Sequence, residues 1–349
     1  MTNKLPRESN LELLRLFSML LITVYHFSGA LLPSATLSGA QTVLHIGVVC
    51  FILISGYFGI KTKIKGLIRL FGVIAFYGFS LYVVSVLWNG DAWDKMTLFR
   101  SFLPFSNNFY WFIFYYAQLY LIAPLLNKAI ERMSRRDLLL TLLVFFYLCI
   151  YIGIIWYYNR YTAGKSLLLF IYIYLIGRYL RLYSPIAEST RRRTLRRSLC
   201  AWAAIAAIAY VGCVFTPPTV SGYIYRFSFH YNSPLLILMA IAVFNVFRCI
   251  KLQNKTINWM ATSALAVYLI HEHPYIKEQL YVAPIAHFNS THPTALTILF
   301  IIGYALAIFF TCILIDKIRG QTVKLLHLEK ISEACEKKIE QIIEYIKKK

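Results

Sequence analysis

Arg15 and His26 are eleven positions apart in a mainly apolar stretch. At 100° and 1.5 Å per residue that separation is within about 20° of three helical turns and about 16 Å along the axis. Both side chains therefore fall on one helix face, in a stripe that runs Glu12, Arg15, Met19, Ile22, His26. A neutral imidazole is suited to accept a proton near pH 7. A guanidinium is suited to hold a carboxylate, a phosphate or a developing oxyanion. Ionisable groups inside a bilayer cost about 2.5–3.5 kcal/mol each on insertion scales, which makes them functional candidates. Plainer readings stand beside this one. Arg15 reaches the headgroups while pairing with Glu12, and His26 is a core histidine bonded to a neighbouring helix. Composition does not choose between them.

Other strings carry polar groups where apolar ones are expected. Lys61, Lys63, Lys65 and Arg69 form a basic cluster that suits either phosphate groups or simple anchoring at a membrane face. Just before it, Ser55-Gly56 lets another backbone approach closely, with Tyr57 beside it. Trp111 and Tyr120 belong to an aromatic segment that ends in a proline kink at Pro124 and in Asn127. His271-Glu272-His273 interrupts an apolar run late in the chain. Two histidines two residues apart on a helix face different sides, so no metal pair is expected there. The seven cysteines include no C-x-x-C spacing, which leaves zinc and thioredoxin-type chemistry unsupported.

The elements that must position these residues follow from composition. Of 349 residues, 59% are hydrophobic and 15% charged; the mean hydropathy is +0.60. Soluble chains average roughly 45–50% apolar and about 25% charged. A soluble enzyme, a disulfide scaffold and a disordered chain are excluded, and an all-α polytopic membrane protein remains. A spanning helix takes about 20 mainly apolar residues, which gives ten expected spans: 11–31, 41–60, 66–89, 109–127, 138–158, 167–183, 199–215, 234–250, 259–279 and 294–316. Span 11–31 carries Arg15 and His26 and no cleavage site, so it reads as a retained helix and not as a leader.

The net charge of +21, from 36 Lys+Arg against 15 Asp+Glu, is sorted by these loops. With the amino terminus inside, 28 basic residues fall in inner segments and 6 in outer ones. By the positive-inside rule both termini are expected in the cytoplasm. The basic balance is thus topology, and no nucleic-acid partner is expected. Arg15 and Arg69 are the two that this count gives to neither side, the span-end residues Arg178, Arg181, Arg248 and Lys277 being counted with their adjoining loops. Residues 1–319 read as one transmembrane domain. From Gly320 to Lys349, Leu328, Ile331, Cys335, Ile339, Ile342 and Ile346 recur at three- and four-residue steps, an amphipathic helical tail suited to the inner leaflet.

Taken together these strings resemble acyltransferase family 3, a family of multipass membrane enzymes. The resemblance lies in Arg15 and His26 with the preface Arg7-Glu8-Ser9-Asn10-Leu11-Glu12-Leu13-Leu14. It continues in Phe51-Ile-Leu-Ile-Ser55-Gly56-Tyr57-Phe58, in Trp111, Leu119-Tyr120 and Pro124 to Asn127, and in Tyr268-Leu269-Ile270-His271. The family often has two arginines three residues apart at the start of the third span. Here Arg69 matches the second, and Lys65 is the nearest substitute for the first.

The resemblance implies transfer of an acyl group, usually acetyl, from cytoplasmic acyl-CoA to a hydroxyl of a surface glycan or its lipid-linked precursor, in a bacterial inner membrane. Acetyl-CoA is then the co-substrate and no metal is expected. His26 is the expected base or transient acyl carrier, and Arg15 orients the donor or stabilises its oxyanion. Arg69, Lys65, Tyr57 and Ser55 are expected to bind the coenzyme. Glu12, Trp111, Tyr120, Asn127 and His271 are expected to support the substrate. Membrane lipids and the glycan acceptor are the expected partners. A flippase for a lipid-linked sugar would use the same two residues, but no repeats or paired broken spans are visible. A glycan polymerase would be expected to carry a large outer loop or an acidic outer site, and only Asp91, Asp94, Glu272 and Glu278 are available.

Overall fold

The computed structural model describes residues 7–325 except 32–34, 63, 91, 104–109, 156–163, 216–226 and 228–229, together with 334, 337, 338 and 341. Regular structure among them is wholly helical. The order is α1 (Ser9–Ser28), α2 (Ala35–Leu44), α3 (Ile46–Phe58), α4 (Ile64–Asn89), α5 (Lys95–Ser101), α6 (Trp111–Glu131) and α7 (Arg135–Phe146), which runs on as a π-helix over Tyr147–Ile155. Then come α8 (Leu167–Tyr183), α9 (Arg191–Phe215), α10 (Pro234–Cys249), α11 (Lys255–Ala261), α12 (Ala264–His271), a π-helical turn over Glu278–Val282, α13 (Ala283–Thr291) and α14 (Thr294–Leu325).

Among the described residues, six helical segments are long and apolar enough to cross a membrane: Ser9–Ser28, Leu37–Phe58, Ile64–Asn89, Arg135–Ile154, Glu188–Phe215 and Thr294–Leu325. The other four expected spans depart from that standard for local reasons. In α6, three tyrosines with Gln118 and Asn127 dilute the apolar character. α8 has 17 residues and α10 has 16, both short of a full crossing. The span expected over 259–279 is broken into α11, α12 and a turn. The second expected span also has a joint: α2 gives way to α3 at His45, which adopts a turn. The tail expected from Gly320 has no structural boundary at its start, because α14 runs through that glycine to Leu325. Residues 326–333, 335–336, 339–340 and 342–349 of it lie outside the described residues.

The core forms around α3, which is apolar all round and buried from Ile46 to Ile54 except for Phe51. A helix of that kind belongs in the middle of a bundle. Small residues let its neighbours come close. A side chain at Gly47 would collide with the Ser18 carbonyl of α1, and one at Gly56 with the Tyr174 backbone of α8. Gly177 faces the Leu53 carbonyl in return. The close approach expected at Ser55-Gly56 is therefore present, and its partner is α8. Around this centre, α1 packs on α3, α11 and α14, while α4 leans on α12 and leaves a gap toward α6. That gap is where the candidate site residues meet.

Candidate active site

Arg15 and His26 line one cavity of about 1200 Å³. α1 holds both on its inward face, as the three-turn spacing requires. Phe51 and Ser55 of α3, Lys65 and Arg69 of α4, Tyr116 and Tyr120 of α6, and Tyr268 of α12 complete much of the wall. One end is basic. Arg7, Arg15, Lys65, Arg69, Lys317, Arg319 and Lys324 all reach it. The other end is aromatic and contains His26. The cavity therefore spans the axial distance of about 16 Å that separates the two α1 residues.

At the aromatic end His26 meets the residues that end α12. His26 Nδ1 is 2.9 Å from His271 Nε2 and 3.1 Å from Glu272 Oε2. His271 Nδ1 is 2.6 Å from the Val267 carbonyl. A carbonyl only accepts, so a neutral His271 carries its proton on Nδ1 and accepts at Nε2. His26 must then donate from Nδ1, and its Nε2 keeps a free lone pair. Glu272 is itself held: Lys277 Nζ is 3.1 Å from Oε1, and the Tyr281 hydroxyl donates to Oε2 at 3.3 Å. The π-helical turn over Glu278–Val282 carries Tyr281, whose ring stacks on Phe27 with centroids 4.3 Å apart. A base oriented by a second group, itself fixed by a third, is the arrangement general-base chemistry requires.

A chain of rings flanks this centre. Tyr25 lies 4.2 Å from His45, His45 lies 4.7 Å from Tyr231, and Tyr231 lies 4.9 Å from Trp111, centroid to centroid. Lys165 Nζ sits 4.8 Å over Trp111. Burial pushes the Lys165 ammonium below its usual range, and the charge of Glu272 opposes that shift. His45, at the α2–α3 joint, lines the cavity wall.

Of the expected site residues, His26, Arg15, Arg69, Lys65, Ser55, Trp111 and Tyr120 line the cavity, and His271 bonds to His26. Glu12 forms a 2.7 Å ion pair with Arg15. Tyr57 and Asn127 are placed elsewhere. The Tyr57 hydroxyl accepts from Arg181 at 3.1 Å, and both Arg181 and Arg248 lie over its ring. Asn127 donates to the Ile60 carbonyl at 2.9 Å and accepts from the Tyr174 hydroxyl at 2.7 Å, so it fixes the turn after α3. The sequence reading did not place Glu272 beside His26, although an acid inside an apolar run was the signal that marks it as a candidate. It also missed His45 and the α14 cations.

His26, His271 and Glu272 offer ligand atoms within 4.8 Å of one another. Two nitrogens about 2.1 Å from a tetrahedral zinc would stand about 3.4 Å apart. The 2.9 Å between His26 and His271 fits a shared proton better than a shared ion. His273 points away, its ring 5.6 Å from that of Tyr275.

Residues 8–317 match the family model described as an acyltransferase domain, that of acyltransferase family 3. No curated protein and no solved structure matches the chain. The match covers nearly the whole chain, which belongs to this family and is a multipass membrane acyltransferase.

Proposed function

We propose that the chain is an O-acyltransferase of a bacterial inner membrane. It moves an acetyl group from cytoplasmic acetyl-CoA to a hydroxyl of a surface polysaccharide or of its lipid-linked precursor. The observation that carries this reading is the single cavity joining a cation-lined mouth to the free Nε2 of His26. Coenzyme A is polyanionic at one end and reactive at the other, with an extended pantetheine arm between. A pocket that is basic at one end, and holds a base about three helical turns away, matches that division.

In this reading Arg15, Arg69 and Lys65 grip the donor near the mouth. Arg15 is too far from His26 to serve the thioester carbonyl when that carbonyl lies at the base, so its role is with the donor's arm and phosphates. The acceptor hydroxyl gives its proton to His26 Nε2 as its oxygen attacks the carbonyl carbon. The tetrahedral intermediate collapses, the carbon–sulfur bond breaks, and the departing sulfur takes that proton back from Nε2. While charged, the imidazolium is stabilised by Glu272 Oε2 at 3.1 Å and held in place by His271. Ser55, 3.2 Å from the Tyr116 hydroxyl, adds a polar wall midway.

Purified full-length protein in lipid nanodiscs is expected to release free thiol from acetyl-CoA, and the His26→Ala variant is expected not to. Mass spectrometry of surface glycans from cells with and without the gene should show a lost acetyl ester. Normal acylation by His26→Ala would overturn the assignment.

A further inference from the structure

The basic mouth has two walls. Lys65 and Arg69 of α4 form one, and the cytoplasmic end expected for α14 forms the other, through Lys317, Arg319 and Lys324. Trp259 of α11 stands at the rim with about half of its surface exposed (51%).

This second wall is built around a buried carboxylate. Asp316 accepts from the Tyr77 hydroxyl at 3.0 Å and from Ser263 Oγ at 2.6 Å. Its Oδ1 also lies 2.8 Å from both Nε and Nη2 of Arg319. One acid thus ties α4, α14 and the α11–α12 joint together, and it fixes the Arg319 guanidinium at the cavity wall. Lys317 is likewise committed: it donates to the Trp259 carbonyl and to Thr262 Oγ1, with its ammonium 4.4 Å from the Trp259 ring centroid. Lys324 lies two turns on, about 10 Å along the axis. It is exposed and makes no ion pair among the described residues. The C-terminal end of a helix repels anions, so any anion held here is held by side chains.

We propose that this wall is the nucleotide subsite of the thioester donor, with Lys324 and Arg319 on the ribose 3′-phosphate and Trp259 under the adenine. The proposal rests on the donor reading above. It explains how the mouth accommodates a third phosphate where α4 supplies only one arginine. Stacking on an indole tolerates the base at low geometric demand, and a guanidinium with a fixed orientation loses little on binding phosphate.

The test is calorimetric binding of coenzyme A, 3′-dephospho-coenzyme A and phosphopantetheine to the full-length protein in nanodiscs of neutral lipid. The wild type is expected to bind coenzyme A about fivefold tighter than the dephospho form, the scale of one partly exposed ion pair. Lys324→Glu should bring that ratio to about one. Trp259→Ala should weaken both nucleotides equally and leave phosphopantetheine unchanged. A preference that survives Lys324→Glu overturns the subsite. So does a wild type without preference whose Lys324→Glu variant loses only its retention on anionic vesicles, which assigns the cations to lipid headgroups. Failure of the wild type to bind any of the three overturns the donor reading, and the subsite with it.

Discussion

Replacing Glu272 by glutamine removes one charge from the centre while keeping the size of the side chain. The carboxylate oxygen stands 3.1 Å from His26 Nδ1, and the two partners are each about one-sixth exposed. At an effective dielectric constant of 20, unit charges at that distance attract by about 5 kcal/mol. Lys277, 3.1 Å from the other carboxylate oxygen, and the residual exposure reduce this, leaving about 2–3 kcal/mol for the charged His26. In the proposed mechanism His26 is charged only while it holds the acceptor's proton, so the loss falls on the chemical step. Glu272→Gln is expected to lower kcat by about 30- to 150-fold with KM for acetyl-CoA nearly unmoved. The assay is thiol release from acetyl-CoA by protein in nanodiscs, with recovery from the membrane as the folding control. Lys277→Met is the comparison. If Glu272 served only its ion pair with Lys277, both variants would lose activity alike. Equal losses, or a Glu272→Gln enzyme within threefold of wild type, would refute the role given to the carboxylate.

Further outcomes follow from the same geometry. Gly72 faces the cavity, and a Cβ there would meet nothing within 4 Å. Gly72→Ala should therefore stabilise α4 by about 1 kcal/mol on helix propensity alone, read as a raised Tm. Gly72→Trp should block the donor's path and raise KM for acetyl-CoA by about tenfold or more, and an unchanged KM would count against the path. Chelation by EDTA is expected to leave turnover unchanged; loss restored by a divalent cation would make His26, His271 and Glu272 ligands. Asp94 caps α5 by accepting from the Thr97 hydroxyl and amide and the Met96 amide, which hold its carboxyl below the usual range. Because the folded value is depressed, the cap is at full strength above the unfolded value of about 3.9 and weakens as pH falls through the folded one. The protection of the Met96 and Thr97 amides against exchange, taken relative to the intrinsic rate at each pH, should fall only in that acid window.

Much of this protein was legible before any tertiary contact was known. Composition excluded a soluble fold, because too few polar side chains remain to cover one. Helical period put Arg15 and His26 on one face, and both line the same cavity. These are local or summed properties, and a linear chain carries them. The count of spans was less legible. Length and apolar content do not reveal that α2 and α3 turn at His45, nor that α11 and α12 part at Thr262 and Ser263. His45, at the first joint, lines the cavity wall, and α12, which follows the second, ends at His271.

Only the tertiary structure decided which polar groups act together. His26 and His271 are 245 residues apart, and no periodicity relates them. In sequence, His271-Glu272-His273 gave a reason to doubt a metal pair; in the fold, its first two members contact His26, and the third faces Tyr275. Tyr57, expected at the coenzyme, and Asn127, expected to support the substrate, bond to Arg181 and to the Ile60 carbonyl instead of lining the cavity. The physical reason is that a helix sets its own side-chain directions through backbone hydrogen bonding, whereas its partner is chosen by how whole faces pack. The approach of α3 to α8 at Gly56, and of α1 to the end of α12, are decisions of that second kind.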